Sequence, residues 1–232
     1  RQRIPNMSTA QRTILITGAS RGIGRLLAER YAERGERVIA AVRDPEAANL
    51  PEGIERHALD AMSEASHDAL AAGLDLKSLD ILVCNAGIYR GRGNVLSERI
   101  SDADWQDMLM TNVAGPYLAV SAFRDALEAA GGRVTVLSSM MGSSARAPGG
   151  SYAYRASKAA ATNLVANLAK DLAPAGVAVG AYHPGWVQTD MGGAQAPVTP
   201  AESVAGLMRE FDALDLARTG CFRSFDGQDI PF

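Results

Sequence analysis

Thr13-Ile14-Leu15-Ile16-Thr17-Gly18-Ala19-Ser20-Arg21-Gly22-Ile23-Gly24 lies near the start of the chain. Its first five residues are a short, largely apolar run, which reads as a strand buried on both faces of a parallel sheet. After Gly24 the pattern turns helical as far as about Arg34, and Gly35 stops it. Strand, glycine turn and helix in this order can hold a dinucleotide. Backbone N–H groups and the helix N-terminus offer positive potential to a pyrophosphate. Gly18 allows the tight turn, Gly22 lets the backbone approach the ligand, and Gly24 lets helix pack closely on strand. A turn that merely needs glycine has a similar composition, and it is the setting between strand and helix that favours the ligand.

Working outward, the same alternation continues. Strands are expected at Arg37–Val42, Ile54–Asp60, Leu79–Cys84, Arg133–Ser139, Val177–Tyr182 and Cys221–Phe225. Helices are expected at Ser63–Ala72, Asp104–Ala130 with a break at Gly115-Pro116, Ala153–Leu172 and Pro200–Leu214. Strands alternating with helices imply βαβ units with helices on both faces. The expected fold is therefore α/β: a single doubly wound Rossmann domain with a mainly parallel seven-stranded sheet. Residues 7–232 read as that domain. Residues 1–6 precede Met7, lack the apolar segment of a signal peptide, and read as an expression remnant.

Composition narrows the function. The chain has 232 residues and a formal net charge of −3, so no basic excess points to nucleic acid. No apolar run approaches the ~20 residues that cross a bilayer. Cys84 and Cys221 make no disulfide framework, and Cys84 reads as a small core residue. A reducing cytoplasm is the expected location. His57, His67 and His183 lack metal-ligand spacing, so no metal is expected.

Tyr154-Arg155-Ala156-Ser157-Lys158 carries the chemistry. Residues four apart in a helix share a face. A lysine ammonium beside a phenol favours the phenolate and makes the tyrosine a usable proton donor or acceptor. The plain alternative is an aromatic next to a solvated lysine, yet the chain has only three lysines, Lys77, Lys158 and Lys170. Tyr152 has Ala156 four residues on and no such partner.

The spacing Gly-x-x-x-Gly-x-Gly behind Thr17, followed by Tyr154-x-x-x-Lys158, resembles the short-chain dehydrogenase/reductase family. Asn85-Ala86-Gly87, Asn112, Ser139 and Pro184-Gly185-Trp186-Val187-Gln188-Thr189 fall in the family's order. The likeness runs from Thr13 to Phe232. The run His183 to Gly193 and the ending Gly220 to Phe232 look like the C-factor and sniffer-type carbonyl reductase group.

The resemblance implies a catalytic set of Asn112, Ser139, Tyr154 and Lys158. Tyr154 gives a proton to a carbonyl while hydride arrives from nicotinamide. Lys158 lowers the tyrosine's pKa and binds the ribose, Ser139 holds the carbonyl oxygen, and Asn112 orders a proton-relaying water. Ser138 is adjacent and leaves the choice of serine open, with Ser139 favoured because Gly142 follows three residues later. The implied cofactor residues are Gly18, Ser20, Arg21, Gly22, Ile23, Gly24, Arg43, Asp60, Ala61, Asn85, Ala86, Gly87, Tyr154, Lys158, Pro184, Gly185, Val187 and Thr189. Val42 stands where the family places an NAD-selecting acid, and Arg43 and Arg21 are basic, so NADP(H) is expected over NAD(H). Asp44 is the countervailing residue. The segment from Met191 to Pro200 is too short for a long lid, which implies an open site for varied carbonyls or alcohols. The family's helix pairing implies a homodimer or homotetramer. The competing expectation is a dinucleotide-binding signalling protein of the C-factor type with little turnover.

Overall fold

A computed structural model describes residues 11–97 and 99–232. The segment read as an expression remnant lies outside the described residues. In chain order the elements are β1 (Thr13–Thr17), α1 (Gly22–Glu33), β2 (Arg37–Val42), β3 (Ile54–Ala58), α2 (Glu64–Leu74), β4 (Ile81–Cys84) and α3 (Asp102–Leu109). They continue with α4 (Gly115–Ala130), β5 (Arg133–Leu137), α5 (Tyr152–Leu172), β6 (Ala178–His183), α6 (Pro200–Asp212) and β7 (Phe222–Ser224). The strands form one sheet in the order β3-β2-β1-β4-β5-β6-β7. Every described pairing between these strands is parallel, so the sheet is wholly rather than mainly parallel.

Strand alternation divides the core. Ile14 and Ile16 of β1 point to the layer of Leu27 and Tyr31 from α1 and Leu207 and Phe211 from α6. Leu15 between them points to the other layer, with Leu70 of α2, Phe123 of α4 and Val165 of α5. Cys84 is buried in that second layer. Strand order reverses between β1 and β4, and ligands in such sheets bind outside the carboxyl ends of the strands at that reversal.

The strand ends differ from the sequence expectation in a consistent way. β3 stops at Ala58 and β5 at Leu137, before Asp60 and Ser139. Residues past these ends leave the ladder and turn toward the cleft. The expected break at Gly115-Pro116 is a π-helical turn, Met110–Ala114, just before it. There the Gly115 N–H donates to the Met110 carbonyl, five residues back. Pro116 has no N–H for the carbonyl of Asn112, so the α-pattern cannot close across this point.

Candidate active site

The glycine turn follows from backbone crowding. Gly18 has φ +68, and a Cβ there would lie 2.8 Å from the Cα of Ala86. Asn85 locks the turn to β4: its Nδ2 donates to the carbonyls of Thr17 and Gly18, both at 2.9 Å. The Thr17 hydroxyl in turn accepts from the N–H groups of Asn85 and Ala86 at 3.2 and 3.1 Å. Asn85, read from sequence as a cofactor contact, thus spends its amide on the shape of the glycine turn.

α1 begins at this turn without a side-chain cap and without an acid in its first turn. By contrast α2, α3 and α6 are capped by Ser63, Ser101 and Thr199. Uncapped N–H groups at a helix start favour an anion. They open on a cleft of about 390 Å³ lined by Gly18, Ser20, Arg21, Gly22, Ile23, Arg43, Asp60, Ala61, Asn85, Ala86, Gly87, Tyr154, Lys158, Pro184 and Thr189. The residues present therefore fit a dinucleotide: a pyrophosphate at the glycine turn, adenosine toward β2 and β3, and nicotinamide toward α5. Gly24, Gly185 and Val187 back the walls. Gly24 abuts the Asn85 amide, Gly185 packs under the Phe225 ring, and the buried Val187 bridges to Val198.

At the β2 end, Arg43 is exposed at the cleft. Asp44 does not engage it. Its carboxylate accepts from the N–H groups of Glu46 and Ala47, both at 3.1 Å, and closes the following turn. Asp60 does likewise for Met62 N–H at 3.0 Å, and the Ala61 carbonyl lies 3.3 Å from Nε2 of His67. Arg21 reaches across the cleft mouth to Asp190 at 3.1 Å.

At the other end, Tyr154 and Lys158 are both buried on α5. The structure separates the two serines. Ser138 lines the cleft, but its Oγ lies 2.7 Å from Thr162 Oγ1 and donates to the Lys158 carbonyl, so its hydroxyl is engaged by α5. Ser139 Oγ accepts from Met141 N–H at 3.1 Å, and its side chain is near enough to Tyr154 to favour the phenolate. Burial drives the Tyr154 pKa up to about 12, and Ser139 and the Arg92 charge pull the other way. The expected lowering by Lys158 is not what the geometry gives. Nζ lies 5.8 Å from the Tyr154 ring centroid and donates to the Leu137 carbonyl at 2.7 Å. Burial brings Lys158 itself down to about 8.

Asn112 is buried and fully engaged. Its amide exchanges hydrogen bonds with Ile88 N–H and carbonyl at 2.9 and 3.0 Å, and donates to Ser157 Oγ at 2.9 Å. A Cβ on Gly87 would meet Asn112 Oδ1 at 3.3 Å and Lys158 Nζ at 3.5 Å, so Asn112 and Lys158 converge just past the end of β4. Gly142 is equally constrained, since a Cβ would lie 2.7 Å from the Lys158 carbonyl carbon. Sequence reading missed Tyr89, which stacks on Tyr154 with centroids 4.1 Å apart, and Thr111 and Gln188 at the cleft wall. Their only sequence signal was nearness to Asn85-Ala86-Gly87, Asn112 and Thr189.

Comparison with known proteins matches residues 12–198 to the model of the short chain dehydrogenase family. The C-signal protein of Myxococcus xanthus is 38% identical over 169 residues, covering 71% of this chain and 99% of that protein. Carbonyl reductase Sniffer of D. melanogaster superposes with a TM-score of 0.89 at 27% identity, covering 96% of this chain and 100% of that one. The NADPH-bound carbonyl reductase from chicken fatty liver gives 0.87 at 28% identity, covering 96% and 99%.

Proposed function

The chain belongs to the short-chain dehydrogenase family, in the group of the C-signal protein and the carbonyl reductases, and we propose that it is an NADP(H)-dependent carbonyl reductase with Tyr154 as general acid and base. The observation that carries this reading is the meeting of Tyr154 and Lys158 at the inner end of a cleft whose other end is the uncapped start of α1, with Ser139 beside the phenol. Bound nicotinamide supplies hydride to the substrate carbon, or takes it up. Tyr154, neutral at physiological pH, gives its proton to the carbonyl oxygen in reduction and recovers it in oxidation. Ser139 donates to the same oxygen and stabilises the charge that develops there. Lys158 holds the nicotinamide ribose. Asn112 orders a water on the Lys158 side.

Arg43 at the end of β2, free of Asp44, is the residue we assign to the 2′-phosphate. The NADPH bound to the chicken liver reductase supports the same cofactor here. The loop from Trp186 to Val198 closes on itself through Gln188 N–H to Val198 O (3.0 Å) and Val198 N–H to Trp186 O (3.1 Å). So short a loop leaves the carbonyl site open, and we expect broad acceptance of ketones, aldehydes and quinones. Exposed Leu109, Met110 and Tyr117, beside the small residues of α5, form the face through which we expect a homodimer or homotetramer. Light scattering tests this, and a monomer mass at micromolar concentration contradicts it. No described helix is long and apolar enough to cross a membrane. We place the protein in the cytoplasm, with residues 7–232 as one catalytic domain.

A carbonyl panel assayed with NADPH and NADH tests the activity. Turnover of several carbonyls with NADPH supports the reading. Nicotinamide binding without turnover favours the second reading, a dinucleotide-binding signalling protein, which the match to the C-signal protein keeps in view.

A further inference from the structure

Tyr154 does not stand alone in its pocket. The Tyr89 ring stacks on it with planes 24° apart and centroids 4.1 Å apart. The Arg92 guanidinium lies over the Tyr89 ring, 4.6 Å from its centroid. Cation, ring and ring form a column ending on the proposed proton donor.

The column is fastened to the start of α5. The Tyr89 hydroxyl and Ser151 Oγ lie 2.7 Å apart. Ser151 Oγ also donates to the Arg92 carbonyl at 3.3 Å, and Ser151 N–H donates to the Gly93 carbonyl at 2.9 Å. Ser151 has φ +49, a left-handed conformation that a residue with a Cβ holds only when its surroundings impose it. Arg92 donates to the Met191 carbonyl at 2.6 Å, which ties the column to the loop after β6. Two cleft walls and the catalytic helix thus meet at one aromatic pair.

We propose that Tyr89, backed by Arg92, is a positioning residue that fixes the plane and reach of the Tyr154 phenol. The proposal rests on the reading of Tyr154 as acid and base. Proton transfer between fixed partners loses rate steeply when the donor is misplaced by about an ångström. Removing the Tyr89 ring bares one face of a buried phenol and releases it. The charged and titratable groups facing Tyr154 are Lys158 on its own helix, Ser139 from the turn after β5, and Tyr89 and Arg92 from the loop after β4. α3 contributes apolar Trp105 and Met108. Burial dominates the phenol's acidity, and Arg92 is the cation that opposes it.

Variants Tyr89→Leu, Tyr89→Phe, Arg92→Met and Arg92→Lys test this. Readouts are kcat and KM against pH, NADP(H) affinity and thermal melting, with benzyl alcohol and 1-phenylethanol as probe alcohols and the carbonyl panel in reverse. Tyr89→Leu is expected to lower kcat about tenfold or more with nicotinamide affinity unchanged, while Tyr89→Phe keeps the ring and most of the rate. Oxidation needs the phenolate, and loss of a nearby cation disfavours it. Arg92→Met should therefore move the acidic limb of the oxidation profile to higher pH, and Arg92→Lys should restore it. Wild-type kcat in folded Tyr89→Leu overturns the proposal. So does an Arg92→Met profile that stays in place while only melting changes. If Tyr89→Leu does not fold, the Arg92 profiles decide. Turnover retained in Tyr154→Phe is a different failure, because it removes the acid–base reading itself. Absence of turnover in the wild type overturns both.

Discussion

The two ends of the cleft are built by different means. At the β1–α1 end the walls are backbone: Gly18, Gly22 and the N–H groups of α1, held by the Asn85 amide. At the α5 end the walls are side chains from segments far apart in sequence. Ile88 follows β4, Ser138 follows β5, Tyr154 and Lys158 lie in α5, and Met191 follows β6, with Tyr89 stacked behind Tyr154. At the first end Gly18 tolerates no added atom, since even a Cβ there collides with Ala86. Binding geometry is fixed by the main chain, and chemistry is laid on it by packing.

The largest effect should come from breaking the backbone end. Gly24→Val drives a branched side chain into Asn85 and the Gly18 carbonyl, which define the glycine turn. Nicotinamide binding should be lost in titration calorimetry, with turnover falling below detection. Unchanged affinity in a folded variant would mean that the turn does not hold the cofactor.

Lys158→Met separates the two ends. Turnover and cofactor affinity should both fall, because one ammonium serves the ribose and the proton relay. Stability should move the other way. Lys158 falls from its ordinary 10.5 to about 8 through burial, so the unfolded chain binds more protons between these values. The burden that buried Lys158 places on the ligand-free fold should therefore be greatest below about pH 8 and fade toward 10.5, so the stability gap between Lys158→Met and the wild type should narrow across that window. Lys158→Met lacks this dependence. A melting series over pH on both proteins checks it, and a gap that stays constant or widens across the window contradicts it.

Arg43→Ala is the smaller, selective change. One charged hydrogen bond is worth roughly 1.5–3 kcal/mol, or about ten- to a hundredfold in affinity. NADPH should weaken by that factor and NADH hardly at all. Equal losses for both cofactors would remove Arg43 from the 2′-phosphate.

The same contrast explains what could be read in advance. A glycine turn is a local constraint, so Gly18, Gly22 and Gly24 name themselves between a strand and a helix. Tyr154 and Lys158 also sit within one helical turn. The choice between Ser138 and Ser139 was open because it depends on which side of β5 meets α5, and in the structure Thr162 engages Ser138 while Ser139 stands beside the phenol. Tyr89 and Arg92 were invisible because their roles come from contacts with residues about sixty and a hundred positions away, Ser151 and Met191. The inferred effect of Lys158 on Tyr154 failed for a related reason: spacing gives the face of a helix, and burial decides the charge. Asp44 followed Arg43 in sequence, yet its carboxylate belongs to the turn at Glu46 and Ala47.

The central claim is that the cleft binds nicotinamide independently of the phenol that moves the proton. Tyr154→Phe keeps the ring, its stack on Tyr89 and the backbone end of the cleft, and removes only the hydroxyl. The decisive measurement is steady-state reduction of the best panel carbonyl beside an NADPH titration of the same preparation. The account predicts a loss of roughly 10²–10⁴-fold in turnover with NADPH affinity nearly unchanged. Turnover within a few-fold of wild type would contradict it.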